Sequence, residues 1–506
     1  MNDLLNAWQA VLTSDYLLTD TATLSTYEQA TFSTTQRVYA VLRPETVGQV
    51  QECLKIANQY KTPLYPISRG KNWGLGSRVP VQDNCTILDL SRINRIIDYN
   101  EKLAYITIQP GVTFRQVYEF LKEQNSKLFI SVIGGSPEAS VIGNTLERGD
   151  GSGPLGERVA HVCNFEIILP TGECIHTDFG RFANASAKAV NRWGVGPALD
   201  GLFSQSNLGI VTQMTVWLTP LPKFFQTFNC VIQDSGHLSN FIDKLQPLIL
   251  QDAIRSNCFT FWNSYKFLAR QGRYPWQIMG EKTPLCLKEL KRFERWLGTG
   301  CLYSASREQG LAIRKLIEET FTGQVESLSF MDQDNHNDLL INNSSLGVPT
   351  DQNIRSTYWR KKTSLPQNIN PDRDLCGVVW LCPILPFDGQ VITQAIYTIE
   401  TTVNKYGFEP NIAISCISGR SVQIFIAIMF DRDVPFEDER AMSCHDHLLQ
   451  LLTQDGHIPY RLGIQSMNSL PRTQDDYGKL MQTLKQTLDP NDILAPGRYD
   501  FRKDWA

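Results

Sequence analysis

The sequence predicts an α+β chain of more than one domain, and three observations carry that reading. Its 506 residues exceed an ordinary single domain. A strand–helix–strand pattern over Val38 to Tyr65 runs straight into a loop crowded with glycine. From Lys223 to about His457, strands alternate with amphipathic helices and no further glycine loop occurs. Hydrophobic residues make up 42% and charged residues 20%, ample for packed cores.

Residues Leu4 to Leu12 are patterned as an entry helix and Thr23 to Phe32 as a loop. Val38, Ala40 and Leu42 alternate with polar neighbours and read as a strand. Pro44-Glu45-Thr46 opens a helix whose apolar stripe is Val47, Val50, Cys53, Leu54, Ile56 and Ala57. The chain then enters Pro66-Ile67-Ser68-Arg69-Gly70-Lys71-Asn72-Trp73-Gly74-Leu75-Gly76. Three glycines in seven residues admit φ > 0 and close approach to a ligand. Successive N–H groups there can form an anion-binding nest, with Arg69 and Lys71 beside it, which suits a pyrophosphate. Taken alone, the loop reads rather as a Gly-rich surface turn. It is no Walker loop, because no Gly-Lys-Ser/Thr ends it, and it lacks the third glycine of a nicotinamide fingerprint.

Thr86 to Leu90 follows as a buried strand, and Ile96 to Tyr99 with Ala104 to Ile108 as a hairpin. Pro110-Gly111-Val112-Thr113 starts a helix with Thr113 as its cap. Glycine and proline crowd residues 133–156 too densely for a helix or a central strand, yet Val141, Ile142 and Leu146 mark a packed segment. A ligand threaded by backbone contacts would hold such a stretch in one shape. Strands over Cys163 to Leu169, Cys174 to Thr177 and Val211 to Leu218 complete this part. The third motif, Ser206-Asn207-Leu208-Gly209-Ile210-Val211, lies just before the last strand, and Pro220-Leu221-Pro222 ends it. Beyond, strands are expected at Phe228 to Ile232, Val378 to Leu381 and Val422 to Phe430. Leu285 to Leu297 reads as a helix with Lys288, Lys291, Arg292 and Arg295 on a solvated face, and Asp332 to Asn343 as a surface loop.

Together these stretches resemble the vanillyl-alcohol oxidase and p-cresol methylhydroxylase family of FAD enzymes. The family's flavin loop reads approximately Pro-Ile-Ser-x-Gly-Arg-Asn-x-Gly-Tyr-Gly, which Pro66 to Gly76 matches except at Lys71 and Leu75. Ser140 to Gly149 is similar to its Ser-Val-x-Gly-Asn-x-x-Glu-Arg-Gly, Pro110 to Thr113 to its Pro-Gly-Val-Thr, and Ser206 to Val211 to its Ser-Asn-Leu-Gly-Ile-Val. The resemblance implies a two-subdomain FAD-binding domain of the p-cresol methylhydroxylase (PCMH) type over 1–219, N-terminal extension included. It implies an α+β substrate-cap domain with an antiparallel sheet over 220–457, and a segment over 458–506 that returns to the FAD domain and the active site.

The resemblance further implies that FAD is held by Pro66, Ser68, Arg69, Gly70, Lys71, Asn72, Gly74 and Leu75 of the first loop. Ser136, Ser140, Gly143, Asn144, Glu147, Arg148 and Gly149 would hold it from the second stretch, Gly209, Ile210 and Val211 from the third, and Arg498 from the C-terminal Pro-Gly-Arg. The family's Tyr-Arg pair falls at Tyr460-Arg461, with Arg461 near the flavin N1 edge, where a fixed cation stabilises the anionic reduced form, and Tyr460 facing the substrate. The phenolate-binding tyrosine of the family is replaced by Leu75, and its carboxylate beside N5 by Gly135 or Ser136, so simple para-alkylphenols are not the expected substrates. Glu157, His161 and Tyr105 are the remaining acid–base candidates, with Glu157 placed among the catalytic residues. Relatives tether FAD through a histidine or tyrosine. The corresponding places hold Lys71 and Val378, so non-covalent FAD is expected, with Cys376 the one alternative tether.

The expected activity is that of an FAD-dependent oxidase or dehydrogenase acting on a small, aromatic or other organic molecule. O2 or a redox protein is the electron acceptor, and a homodimer is compatible with the sequence. A flavin-fold protein without turnover, serving as a binding or assembly module, is the alternative. The formal charge, 48 basic against 52 acidic residues for a net −4, points away from nucleic acid and anionic membrane surfaces. No apolar run reaches a membrane span and residues 1–20 lack a signal-peptide pattern, so a cytoplasmic protein is expected. The 12 cysteines include no C-x-x-C pair, so neither a metal site nor disulfides are expected.

Overall fold

A computed structural model of the chain describes residues 2–233, 235–290, 295–333, 343–469 and 476–500. Helix α1 (Asn2–Leu12) buries Leu4, Trp8 and Leu12, which repeat every four residues along one face. The Trp8 indole donates to the Cys53 carbonyl at 3.3 Å. Strand β1 (Leu17–Leu18) and helix α2 (Thr21–Tyr27) follow. Part of the expected loop over 23–32 is therefore helical: Asp20 caps α2 by accepting from the Thr23 amide, and a local cap of this kind starts a helix without a strong apolar period. Strand β2 (Val38–Leu42), helix α3 (Val47–Tyr60) capped by Thr46, β3 (Leu64–Ile67) and β4 (Cys85–Asp89) form the expected unit. Their sheet runs β1-β2-β4-β3, with β2 and β3 both parallel to β4.

A second sheet is built from β5 (Ile96–Asn100), β6 (Tyr105–Ile108), β8 (Val162–Ile168), β9 (Cys174–His176) and β10 (Ile210–Trp217), in the order β5-β6-β10-β8-β9 and antiparallel throughout. Between β6 and β8 lie helix α4 (Phe114–Glu123), capped by Thr113, strand β7 (Leu128–Phe129) and helix α5 (Val141–Leu146). A short helix thus forms inside the glycine- and proline-rich stretch expected to hold none, because Ser140 caps it and Val141, Ile142 and Thr145 are buried. Strand β11 (Thr219–Pro220) pairs with β7 alone.

The third sheet has eight strands: β12 (Phe224–Ile232), β13 (Phe259–Asn263), β14 (Trp296–Ser304), β15 (Ser327–Gln333), β16 (Cys376–Leu381), β17 (Ile384–Pro386), β18 (Asn411–Ser415) and β19 (Ser421–Asp431). It is antiparallel, in the order β15-β12-β14-β13-β18-β19-β16, with β17 on β19. Side chains alternate across it. Val379, Leu381, Ile412, Ile414, Ile424 and Ile426 share one core with Phe241, Ile317, Ile396 and Leu448, which come from helices α6 (Ser235–Leu250), α9 (Arg307–Phe321), α10 (Gly389–Lys405) and α11 (Glu437–Gln454). Two shorter helices, α7 (Ser264–Gln271) and α8 (Trp276–Met279), precede α9. The opposite face carries Trp380, Ser415 and Phe425.

Among the described residues of 285–297, the expected helix is not formed. Residues 287–290 are turns, 291–294 lie outside the described residues, and Trp296 already begins β14. Register pairing of nine residues with β12 outweighs the helical spacing of the charges. Of the expected loop over 332–343, Asp332 and Gln333 belong to β15, and 334–342 lie outside the described residues.

The end of the chain closes on its beginning. The Leu64 amide donates to the Ile493 carbonyl at 2.7 Å and the Ala495 amide to the Leu64 carbonyl at 2.8 Å. Helix α12 (Asp476–Leu488) supplies Lys485, whose ammonium is buried. It donates to Asp489 at 2.6 Å, to the Leu494 carbonyl at 2.9 Å and to the Asn207 carbonyl at 3.0 Å. One cation thus gathers the C-terminal segment and the third motif. Replacing it by Lys485→Met leaves Asp489 buried without its partner, and should cost about 3–5 kcal/mol in a denaturant unfolding curve.

Candidate active site

The first glycine loop is held by four distant segments. The Gly74 amide donates to Thr31 Oγ1 at 2.8 Å, and that hydroxyl donates to the Val378 carbonyl at 2.9 Å. The Trp380 amide donates to the Gly74 carbonyl and the Ile464 amide to the Leu75 carbonyl, each at 3.1 Å. Asp372 accepts from the Trp73 indole at 2.9 Å and from Ser77 at 2.7 Å. Burial pushes the Asp372 carboxyl up to about 6, against the opposing hydrogen bonds of Ser77 and Trp73. Gly70, Gly74 and Gly76 have φ of +60°, +80° and +113°, the left-handed region that the loop sequence anticipates.

The second stretch enters through Ser140, which caps α5 by accepting from the Gly143 amide at 2.9 Å. A Cβ on Gly143 would come within 3.3 Å of Ser68 Oγ, so the two glycine motifs face each other closely. At the end of α5, Glu147 accepts from Arg498 and from Tyr499 Oη, the latter at 3.2 Å. Arg498 also donates to Tyr65 Oη at 2.7 Å. Burial would raise the Glu147 carboxyl, but Arg498 and Arg461 outweigh it and hold the group below its ordinary value.

Between these motifs opens a cleft lined by Tyr65 to Asn72, Leu75, Ser140, Gly143, Asn144, Glu147, Ser206, Asn207, Gly209 to Val211, Arg461, Ile464, Leu494, Ala495 and Arg498. The Gly70, Lys71 and Asn72 amides donate to no acceptor among the described residues. Arg461 Nε is likewise buried without a partner, while its Nη2 donates to Asn72 Oδ1 at 2.6 Å. Free amides, a positive loop and an unsatisfied guanidinium form the donor set that a dinucleotide with a pyrophosphate and polar ring edge requires, so the residues fit FAD.

Tyr460 spans the two halves of the site. Its amide donates to the Cys382 carbonyl at 3.1 Å, beside β16, and its own carbonyl accepts from Gln205 Nε2 at 2.9 Å. Its ring meets Phe425 edge-on with centroids 6.5 Å apart. Burial pushes the Tyr460 phenol well up, opposed by Arg461, so it remains a proton donor at neutral pH. Asp150 is close enough to act on Tyr460 electrostatically and accepts from Ser415 Oγ at 3.1 Å. Burial pushes its carboxyl up to about 6, with Arg158 opposing.

Among the expected cofactor residues, Pro66, Ser68, Arg69, Gly70, Lys71, Asn72, Leu75, Ser140, Gly143, Asn144, Glu147, Gly209, Ile210, Val211 and Arg498 line the cleft, as does Arg461. Gly74, Ser136, Arg148 and Gly149 do not. Gly74 backs onto Trp380, and Ser136 Oγ accepts from the Glu138 amide. Arg148 is exposed and donates to Ser204, and a Cβ on Gly149 would strike Asn144. Glu157 is not brought to the cleft. It is exposed, and its charged neighbour is Arg192. His161 packs near Trp217, and Tyr105 donates to Asp98. The carboxylate that does approach Tyr460, Asp150, was missed, although its place in Gly149-Asp150-Gly151 offered a signal. Tyr65 and Asp372 were missed for want of one. Val378 is buried with Trp359, Ala427 and Met429, and Cys376 is fully buried in β16, with its thiol pushed up by burial.

A family described as FAD binding domain matches residues 38–178. The 1'-carboxy-chondrochloren decarboxylase of Chondromyces crocatus is 42% identical over 99% of this chain and 97% of its own length. The 4-cresol dehydrogenase (hydroxylating) flavoprotein subunit of Pseudomonas putida is 28% identical over 98% and 95%. The structure of p-cresol methylhydroxylase with substrate bound superimposes with a TM-score of 0.90 at 27% identity, covering 100% of this chain and 98% of that one. The 4-ethylphenol oxidase from Gulosibacter chungangensis shares the fold, with a TM-score of 0.88 at 23% identity over 99% and 97%. The matched residues include the first glycine loop and the Ser140 to Glu147 stretch that line the cleft. No helix among the described residues is long and apolar enough to cross a membrane.

A Cβ at Gly74 would lie 1.9 Å from Trp380 Cδ1. Gly74→Ala should therefore cost about 1–2 kcal/mol in backbone strain and a further ~1–3 kcal/mol in overpacking. Gly196→Ala, at φ +92° with nothing within 4 Å of the added Cβ, should show the strain alone. Unfolding free energies of the two variants check the difference.

Proposed function

The chain belongs to the p-cresol methylhydroxylase type of FAD-dependent oxidoreductases, and from that premise we propose that it oxidises a small carboxylated organic substrate, with loss of CO2, between the FAD cleft and the inner face of the third sheet. The observation that carries this reading is the bridging Tyr460-Arg461 pair. Arg461 reaches into the cleft and bonds Asn72, while Tyr460 hangs from Cys382 and faces Phe425. The carboxylated class follows from the 42% relative, whose name is that of a decarboxylase.

When bound, FAD supplies two-electron oxidation by accepting a hydride at N5. Arg461, buried with an unsatisfied Nε, would supply a positive charge to stabilise negative charge on the reduced flavin. Tyr460 keeps its proton and donates a hydrogen bond to the substrate. Loss of a hydride from the carbon next to the one bearing the carboxylate frees the C–CO2 bonding pair to form a C=C bond. Carbon dioxide then leaves without a separate base. Asp150 modulates the polarity of the pocket beside Tyr460 and is ionised above about pH 6. The electron acceptor is O2 or a redox protein, which reoxidation of the reduced flavin in air distinguishes. Anaerobic bleaching of the flavin accompanied by CO2 release tests the reaction, and bleaching with no CO2 would leave the oxidoreductase reading and remove decarboxylation.

FAD is held without a covalent bond in this reading. Lys71 lines the cleft but is no usual tether, Val378 lies in an apolar cluster, and the buried Cys376 thiol resists ionisation. Acid precipitation should leave the yellow colour in the supernatant, and a fluorescent band on a denaturing gel would contradict this. Arg461→Ala should still fold and bind FAD but reduce it about 100-fold more slowly in stopped-flow absorbance. Simple para-alkylphenols should bleach the flavin slowly, because Leu75 offers no phenolate donor.

A further inference from the structure

Three lysines are buried among the described residues, and two have evident partners. Lys361 donates to Asp431 at 2.7 Å and Lys485 to Asp489 at 2.6 Å. Lys266, only 8% exposed, has neither a carboxylate partner nor a hydrogen-bond acceptor for its ammonium among the described residues. Its Nζ lies 4.6 Å from the centre of the Trp380 ring, and that contact is the one the ammonium has. A cation–π contact is worth far less than the cost of burying an unpaired ammonium. Burial, reinforced by Arg270 one turn along, pushes the Lys266 ammonium down to about 7.

The position of Lys266 is fixed by backbone. Asn263 caps α7, its side chain accepting from the Lys266 amide at 3.0 Å and donating to the Pro410 carbonyl at 2.6 Å. Trp380, which carries the ammonium on its face, backs onto Gly74 of the flavin loop. Cys382, whose carbonyl holds Tyr460, lies within electrostatic reach of both Lys266 and Arg461. An unpaired buried cation therefore stands at the wall shared by the flavin loop and the Tyr460 segment. We propose that Lys266 anchors the carboxylate of the substrate, opposite Tyr460, a role that rests on the reading of this cleft as the oxidation site. A carboxylate arrives already ionised, so the pair forms without a proton transfer, whereas a phenol must first be deprotonated. Met or Leu would fill the same place at lower cost. The charge is therefore explained by a ligand and not by packing.

Calorimetric titration of the FAD-loaded protein with 3-phenylpropanoate, 3-phenylpropanamide and 4-ethylphenol tests the assignment without turnover. The acid should bind about 10- to 100-fold more tightly than the amide. Lys266→Met should erase that gap while unfolding at or above the parent temperature, and Lys266→Arg should retain part of it. An acid no tighter than its amide, or a gap that survives Lys266→Met, overturns the proposal, as does absence of any heat with the acid. Loss of 4-ethylphenol binding alone in Lys266→Met would assign the lysine to a phenolate and overturn it too. Because the readout is binding, flavin bleaching can fail while the anchor stands, and the reverse.

Discussion

The architecture depends on one constraint: a loop rich in left-handed glycines must keep a single shape while leaving its amides free. A loop that satisfied its own amides would have none to offer a pyrophosphate. Here the free amides lie at Gly70 to Asn72, and the restraint is applied beyond them, at Gly74, Leu75 and Ser77. Thr31, Asp372, Trp380 and Ile464 supply it, from positions spread across the chain. The third sheet therefore helps to shape the first glycine loop, since β16 carries Trp380 against Gly74.

The same economy governs charge. Arg360 and Glu409 pair in the interior at 2.9 Å, and Glu147 is enclosed by Arg498 and Tyr499. A buried charge that loses its partner costs several kcal/mol, so evident pairing is the rule in such a core. Arg461 Nε, buried without a partner, and Lys266 Nζ, over the face of Trp380, both lie near Cys382 and Tyr460. In the proposed reading, external groups complete the electrostatics at this wall: the cofactor at Arg461 and a carboxylate at Lys266.

Much of the cofactor half was legible in the sequence because its signals are local. Glycine spacing in 66–76, the Thr113 cap and the Ser206 to Val211 run each announce a backbone shape within a dozen residues. The order of elements from Val38 to Trp217 followed from alternation and caps for the same reason. The misread elements show the limit. Residues 285–297 carry charges at helical spacing, yet pairing with β12 claims their end, and no local pattern reports a partner sixty residues away. Thr23 to Tyr27 became a helix through a single aspartate cap. At the site, Glu157 was placed among the catalytic residues, but it is exposed and does not line the cleft. Asp150, Asp372 and Lys266 gain their meaning only from residues more than a hundred positions distant, such as Ser415, Trp73 and Trp380.

The central claim is that three glycine-bearing segments and the C-terminal Pro-Gly-Arg form one cofactor site whose parts order together. Hydrogen exchange of flavin-stripped protein, measured before and after addition of FAD, tests this most directly. The account predicts simultaneous protection of amides in residues 66–76, 140–149, 205–211 and 494–498, with the outer strands β12 and β15 unchanged. Protection confined to one of these segments, or none on adding FAD, would contradict it.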